Sequence, residues 1–373
     1  SQFDVSQLPS DLQDDLAPLR RVMKSVVLYN DAPKHERLRR PLNRAFSPGA
    51  LERLRPEIEG LANDLLAKAE RRQAMDVVSD YSRPLADHVF GELLGLPPAD
   101  RGDFIEWCDL LSKFTMARRI GHETVLKAKK AVKSLEAVRE YMRTMIADRR
   151  RNFADDAIGH SFSIEANESA PTEDEVLANC VRFVHAGVRN MAASINNAVI
   201  ALLHHPEQFA RLREDPQLIT PAAEELLRYD TPVQVSIRGV PEEMEFLGRR
   251  IGPKQLLVLL LGAANRDPEQ FADPDRLDLT RRPNHHVSFG VGSHGCVGAW
   301  LARFGLTIAI GAILHRRTGL HLTTRKLRWT LPAMGRTVSA LPVSVNRGRP
   351  NSRRCQLRMA RALSSSPICI AGQ

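Results

Sequence analysis

No stretch of this 373-residue chain stays apolar for the roughly 20 residues that a membrane-spanning helix requires. The longest apolar run, residues 256–264, is less than half that and reads as a buried strand. No secretory leader is recognisable at Ser1. Cysteine is scarce as well, with five thiols at positions 108, 180, 296, 355 and 369, an odd number without paired spacing. That argues against a disulfide framework and suggests a reducing, cytoplasmic setting. Internal repeats and interior linkers are also missing, so residues 1–345 are expected to form one domain.

Acidic residues are absent from the end of the chain. Arg347, Arg349, Arg353, Arg354, Arg358 and Arg361 lie there, and removing these six takes the net charge from +9 to +3. Two thirds of the positive balance therefore belongs to one segment, and no nucleic-acid partner is expected. Residues 346–373, rich in Ser, Arg and Pro, read as a basic, disordered tail. The remainder, in a chain 43% hydrophobic and 26% charged, is long enough to bury a sizeable core.

Helical patterning dominates what is present. Ser47 is expected to cap a helix with Pro48 at its first position, running through residues 50–70. Further helical patterns cover residues 84–94, 101–112 and 124–151, and residues 152–171 form a polar, breaker-rich connection. The capping box Thr172-x-x-Glu175 then opens a single helix reaching His205, about 45–50 Å long at 1.5 Å per residue. Short strands are expected at 236–240, 244–246 and 256–261. The fold class is thus mainly α with small β-sheets.

The most informative segment is Phe289-Gly290-Val291-Gly292-Ser293-His294-Gly295-Cys296-Val297-Gly298. It sets one thiol in a glycine-rich turn just before a helical pattern over residues 299–313. A helix N-terminus offers backbone N–H groups and positive potential, both of which favour a thiolate. Glycines 292, 295 and 298 remove side chains, so a large flat group could approach closely. An iron porphyrin ligated by a thiolate suits this pattern. Gly290-x-Gly292-x-x-Gly295 also satisfies a dinucleotide fingerprint, but that reading needs a preceding strand and an acid about 20 residues on. His285, His286 and Ser288 interrupt any strand, and residues 301–323 contain no Asp or Glu. A buried core thiol is the remaining alternative for Cys296.

The decapeptide, followed by Leu301-Ala302-Arg303, resembles the haem-binding loop of bacterial cytochromes P450. Glu225-Leu226-Leu227-Arg228 is similar to the family's Glu-x-x-Arg helix, and residues 263–268 (Ala-Ala-Asn-Arg-Asp-Pro) to the strand-to-loop sequence of bacterial members. Pro274-Asp275-Arg276-Leu277 looks like its meander, and residues 31–39 resemble the entrance to the helix carrying a propionate clamp. The five motifs stand in the family's order. The resemblance implies a cytochrome P450-like fold, haem b (iron protoporphyrin IX) and a monooxygenase reaction at iron ligated by Cys296. It implies that His35, Arg39, Arg238 and His294 hold the propionates, and that Phe289, Gly290 and Gly298 bind the haem beside Cys296, with Phe289 excluding water from the thiolate. Glu225 and Arg228 lie one turn apart on one helix face, the spacing of an ion pair. The resemblance implies that Arg276 joins that pair in a structural role.

Two family features are missing. The long helix of the family carries Ala-Gly-x-acid-Thr, where the acid and hydroxyl assist proton delivery. Here the residues are Ala186-Gly187-Val188-Arg189-Asn190. A guanidinium stays charged and cannot shuttle protons near neutral pH, whereas Asn190 can orient a water. Arg189 either pairs with a substrate carboxylate, as in peroxide-using family members, or turns into a salt bridge. The expected substrate is small and apolar, with a fatty or terpenoid acid suited to the first reading. The family also has several dozen residues ahead of the matched region, so the chain reads as N-terminally incomplete. A peroxygenase, or a truncated haem-binding protein without turnover, are the alternatives to a monooxygenase. Arg37, Arg40 and Arg44 recur at helical spacing and could meet an acidic ferredoxin or flavoprotein; a solvated helix face is the equal alternative.

Overall fold

The computed structural model describes residues 10–115, 122–162, 171–316, 319–324, 326–330 and 334–346. The basic tail expected at 346–373 lies outside the described residues from position 347 onward. The described residues gather into two compact units, one falling within residues 10–58 and 85–189, the other within 59–84 and 190–346.

The first unit is helical. Lys34–Ala45, Arg101–Thr115, His122–Arg151 and Glu173–Phe183 are its principal helices. Thr172 caps the last of these in both directions. Its hydroxyl accepts from the Glu175 amide (3.3 Å), and the Glu175 carboxylate accepts from the Thr172 amide (2.9 Å). Glu173, Asp174 and Glu175 occupy the first turn, where carboxylates complement the helix dipole. The same Glu175 takes a two-pronged bond from Arg37 (2.7 and 3.0 Å), tying this helix to Lys34–Ala45. Phe46 and Phe183 meet edge to face at 5.3 Å, and Asn179 accepts from the Val27 amide. Leu38, Leu85, Val89, Leu94 and Phe104 are buried in its core.

Ser47 does cap a helix, accepting from the Ala50 amide, but that helix ends at Glu52 and a second runs from Arg55 to Arg72. The long helix also differs from expectation. Residues 173–204 are helical, yet Val184–Val188 forms a π-turn between Glu173–Phe183 and Arg189–His204. The widened turn falls on Ala186-Gly187, and a side chain on Gly187 would run into the Phe90 ring. Single π-turns inside α-helices concentrate at functional sites.

In the second unit, Ile219–Tyr229 and Ala299–His315 are the helices that matter for the site. Ala299–His315 is apolar almost all round and correspondingly buried, with Leu301, Phe304 and Ile308 in the core. Tyr81 donates its hydroxyl to the Ala309 carbonyl (2.6 Å), and Arg316 forks onto Glu70. The strands are short: β1 (Ala74–Asp76), β2 (Ser236–Gly239), β3 (Met244–Phe246), β4 (Arg249–Ile251), β5 (Leu256–Leu259), β6 (Gly319–Leu322), β7 (Trp329–Thr330), β8 (Thr337–Val338) and β9 (Pro342–Asn346). β9 lies between β1 and β6, antiparallel to both, and the rest form two-stranded pairs, β2 with β5, β3 with β4 and β7 with β8.

The apolar run at 256–264 is the clearest departure from the sequence reading. It is not a buried strand. β5 pairs with β2 alone, and Leu256, Val258 and Leu260 are 62, 54 and 58% exposed. From Leu261 the chain turns into a short helix, Leu261–Ala264. A continuous apolar run signals burial only when elements cover both faces of the strand, and no described element does so here.

Candidate haem-thiolate site

Cys296 is exposed, whereas Cys108 and Cys180 are buried. The reading of Cys296 as a core thiol is thereby excluded. Its turn is built from backbone bonds. The Gly290 amide donates to the Val287 carbonyl (2.9 Å), the Gly295 amide to Gly292 (2.8 Å) and the Cys296 amide to Phe289 (2.9 Å). Gly290 and Gly292 have φ of +68° and +81°, a region that penalises any Cβ. A Cβ on either would meet nothing within 4 Å, so this side of the turn is open to a large ligand. Gly298 sits at the N-cap of Ala299–His315, which places Cys296 beside the helix N-terminus.

The turn is anchored from behind. Asn265, fully buried, accepts from the Val287 amide and donates to the Ser288 hydroxyl, both at 2.8 Å. The Ser288 hydroxyl in turn donates to the Leu227 carbonyl on Ile219–Tyr229 (2.9 Å). On that helix the Glu225–Arg228 pair is fully buried, with bonds of 2.8 and 2.9 Å. The third member is not Arg276. Arg281 directs its Nε to both oxygens of Glu225 (3.2 Å) and its other nitrogens to the carbonyls of Ala272, Asp273 and Arg276. Arg276 contributes only its backbone oxygen, which accepts from Arg228 and Arg281, while its side chain is exposed.

Glu224, next in the chain, serves a separate network that the motifs did not reveal. Arg303 donates to its two oxygens at 2.6 and 2.9 Å, and His286 Nε2 lies 3.1 Å away. The Ser288 amide donates to His286 Nδ1 (3.3 Å), so Nε2 carries the proton directed at Glu224. Burial pushes the Glu224 carboxyl up, but the bonds from His286 and Arg303, together with the Arg303 charge, outweigh it and bring it down to about 2.

The expected propionate partners divide between the units. Phe289, Gly290, His294, Cys296 and Gly298 share one turn, and Arg238 lies on β2, where it donates to Ser236 Oγ (2.7 Å) and the Ile237 carbonyl (3.1 Å). His35 and Arg39 stand one turn apart on Lys34–Ala45. His35 is buried, and Arg39 Nε donates to Asn43 (3.0 Å). Arg37 binds Glu175, and of the three helix-face arginines Arg40 is the exposed one.

Arg189 lies 4.0 Å from Asp109, and its side chain is 41% exposed. Asp109 also lies 3.6 Å from His185 Nδ1. Burial lowers the His185 pKa; the Asp109 bond opposes it, while Arg182 and Arg189 reinforce it. Asn190 is exposed, and its carbonyl accepts from Ser194. No sequence motif pointed to Asp109.

An exposed thiol at a helix N-terminus, beside open glycine backbone, suits a flat metalloporphyrin held by one thiolate. The comparisons agree. The Cytochrome P450 family model matches residues 14–318. The biotin biosynthesis cytochrome P450 of Bacillus subtilis is 37% identical over 331 residues, 87% of this chain and 81% of that protein. The vitamin D(3) 25-hydroxylase of Pseudonocardia autotrophica is 33% identical, covering 91% of this chain and 81% of the relative. The crystal structure of P450BioI with hexadec-9Z-enoic acid ligated acyl carrier protein matches with a TM-score of 0.81 and 34% identity, over 92% of this chain and 87% of that one.

The chain belongs to the cytochrome P450 family. It has the mainly α fold of that family, binds haem b, and is a haem-thiolate monooxygenase that works with a redox partner on a small substrate. No described helix is long and apolar enough to cross a membrane.

Proposed function

We propose that Cys296 supplies the thiolate to the haem iron, and that the substrate is a small, largely apolar molecule of the fatty-acyl class. The first part is carried by the exposed Cys296 thiol at the N-terminus of Ala299–His315, with its amide held by the Phe289 carbonyl. The second is supported by the likeness to P450BioI, which was solved with a fatty acid on its carrier protein. His35, Arg39, Arg238 and His294 would bind the two propionates, as guanidinium and imidazole donors suit carboxylates. Bound haem supplies the activation of dioxygen. The chain's own part is to keep Cys296 ionised, to exclude water from it with Phe289, and to hold proton-donating water beside Asn190. The loose pairing of Arg189 with Asp109 favours the reading in which Arg189 is turned into a salt bridge. Asn190 then orients water, and a ferredoxin or flavoprotein delivers the electrons.

A second reading is favoured by the residues that replace the acid and the threonine. Arg189 would bind a substrate carboxylate, and peroxide would drive the reaction. The experiment is a titration of the haem-loaded protein with hexadecenoic acid and its methyl ester, followed by the Soret shift. The proposal expects both to shift the band, with Arg189→Ala unchanged. Binding of the acid alone, lost in Arg189→Ala, supports the second reading. Binding of neither, with imidazole still binding, refutes the fatty-acyl class. Turnover with a surrogate ferredoxin system, set against turnover with peroxide, then separates monooxygenase, peroxygenase and a haem-binding protein without turnover.

A further inference from the structure

The ring of Phe289 is flanked by two side chains that share one carboxylate. The Arg303 guanidinium carbon sits 4.5 Å from the ring centroid, a cation–π distance. The His286 ring lies 5.9 Å away, tilted by 50°. Arg303 and His286 both bind Glu224, which thereby links Ile219–Tyr229, the segment leading into the turn, and Ala299–His315. The Phe289 carbonyl in turn receives the Cys296 amide at 2.9 Å. A continuous path of close contacts therefore runs from Glu224 through Arg303 and His286 to Phe289 and on to Cys296.

We infer that Glu224 is a positioning residue for the thiolate ligand, fixing the ring and the carbonyl of Phe289 through Arg303 and His286 and so setting the electron donation of Cys296. The inference rests on the assignment of Cys296 as ligand. Groups beyond the first coordination sphere tune a metal through hydrogen bonding, orientation and the exclusion of water. Here the outer group is a carboxylate that stays ionised over the whole physiological range, with its pKa near 2. It also offsets the Arg303 charge beside the ring. The neighbouring Glu225 faces a different set of partners, so the two successive carboxylates divide the work. Glu225 holds the meander and Glu224 holds the ligand turn.

The sign of the effect follows from charge. Reduction adds one electron to the haem site, and loss of a nearby negative charge favours the reduced state. A slackened Phe289 admits water to the sulfur, which acts in the same direction. In Glu224→Gln the one-electron equilibrium of the haem-loaded, substrate-free protein should shift severalfold toward the ferrous form, read by spectroelectrochemistry on the thiolate-ligated fraction. Glu224→Asp should restore most of the native value. Arg303→Lys keeps the charge but loses the fork and the planar face, so it should shift the potential the same way by less. A merely structural role would lower thermal stability in these variants and leave the potential of the correctly ligated fraction in place. Unchanged potentials in both Glu224→Gln and Arg303→Lys overturn the inference. If Glu224→Gln fails to take up haem, Arg303→Lys decides alone. A parent protein whose reduced carbonyl complex lacks the thiolate band removes the ligand assignment, and this inference with it.

Discussion

Arg281 makes its bonds where the family pattern pointed to Arg276. The two arginines lie five residues apart in an irregular segment, where nothing in the spacing says which turn aims a guanidinium inward. In the structure Arg281 is 11% exposed and reaches both oxygens of Glu225, whereas Arg276 offers a backbone oxygen that any residue could supply. Arg281→Met should therefore cost about 1.5–3 kcal/mol through the charge-assisted bonds it loses, since Glu225 keeps Arg228, and Arg276→Ala should be near neutral. Glu225→Ala should resemble Arg281→Met or exceed it, because Arg228, Arg281, Asn284 and the Asp278 amide all lose an acceptor. Denaturant unfolding, with haem content as a second readout, checks all three, and equal losses for Arg276→Ala and Arg281→Met would contradict the assignment.

Glu224 allows a pH prediction at the same scale. Its pKa is depressed on folding, from 4.5 to about 2. The stability it contributes is therefore fully present above pH 4.5 and fades as pH falls toward 2. The stability gap between the parent and Glu224→Gln should be constant from pH 7 down to about 5, then narrow at pH 4 and pH 3. A gap that stays constant across that range would show that the carboxylate charge contributes nothing.

Among the elements, those with a local cause were legible and those with a non-local cause were not. The capping box at Thr172, the cap at Ser47 and the run of helices follow from side chains that bond their own backbone or from apolar spacing. The π-turn at Val184–Val188 was invisible, because slipping one hydrogen bond changes neither composition nor period. Its position is nevertheless fixed by packing. Phe90 is 3% exposed and abuts Gly187, so it cannot swing clear of an added methyl group. Gly187→Ala should cost about 1–3 kcal/mol through overpacking. The midpoint of thermal unfolding should fall accordingly, and Phe90→Leu in the same chain should recover part of the loss. No change on Gly187→Ala would show that the π-turn is not pinned there. β5 fails the sequence reading for a related reason, since Leu256, Val258 and Leu260 have the composition of a buried strand without the elements that would bury them.

For the whole molecule, family and cofactor were legible because one decapeptide and four shorter motifs stand in fixed order, and the family match over residues 14–318 agrees. The site was legible only in part. Cys296, His294 and Phe289 fall in one turn, as their adjacency in sequence requires. His35 and Arg39 belong to a different compact unit from Arg238 and His294, and their distance in sequence gives no local sign that they share a role. What the sequence did not contain was the support behind the ligand: Asn265 under Ser288, Arg281 on Glu225, and Glu224 between Arg303 and His286. These contacts join residues some 20 to 80 positions apart, and no local pattern announces them.

The central claim is that the Cys296 sulfur is the iron ligand. The direct measurement is the difference spectrum of the reduced protein with and without carbon monoxide, recorded for the parent and for Cys296→Ser. The account predicts the red-shifted Soret band of a thiolate-ligated carbonyl complex in the parent and its complete loss in Cys296→Ser. The same band persisting in Cys296→Ser, or a parent that binds haem without it, would contradict the assignment.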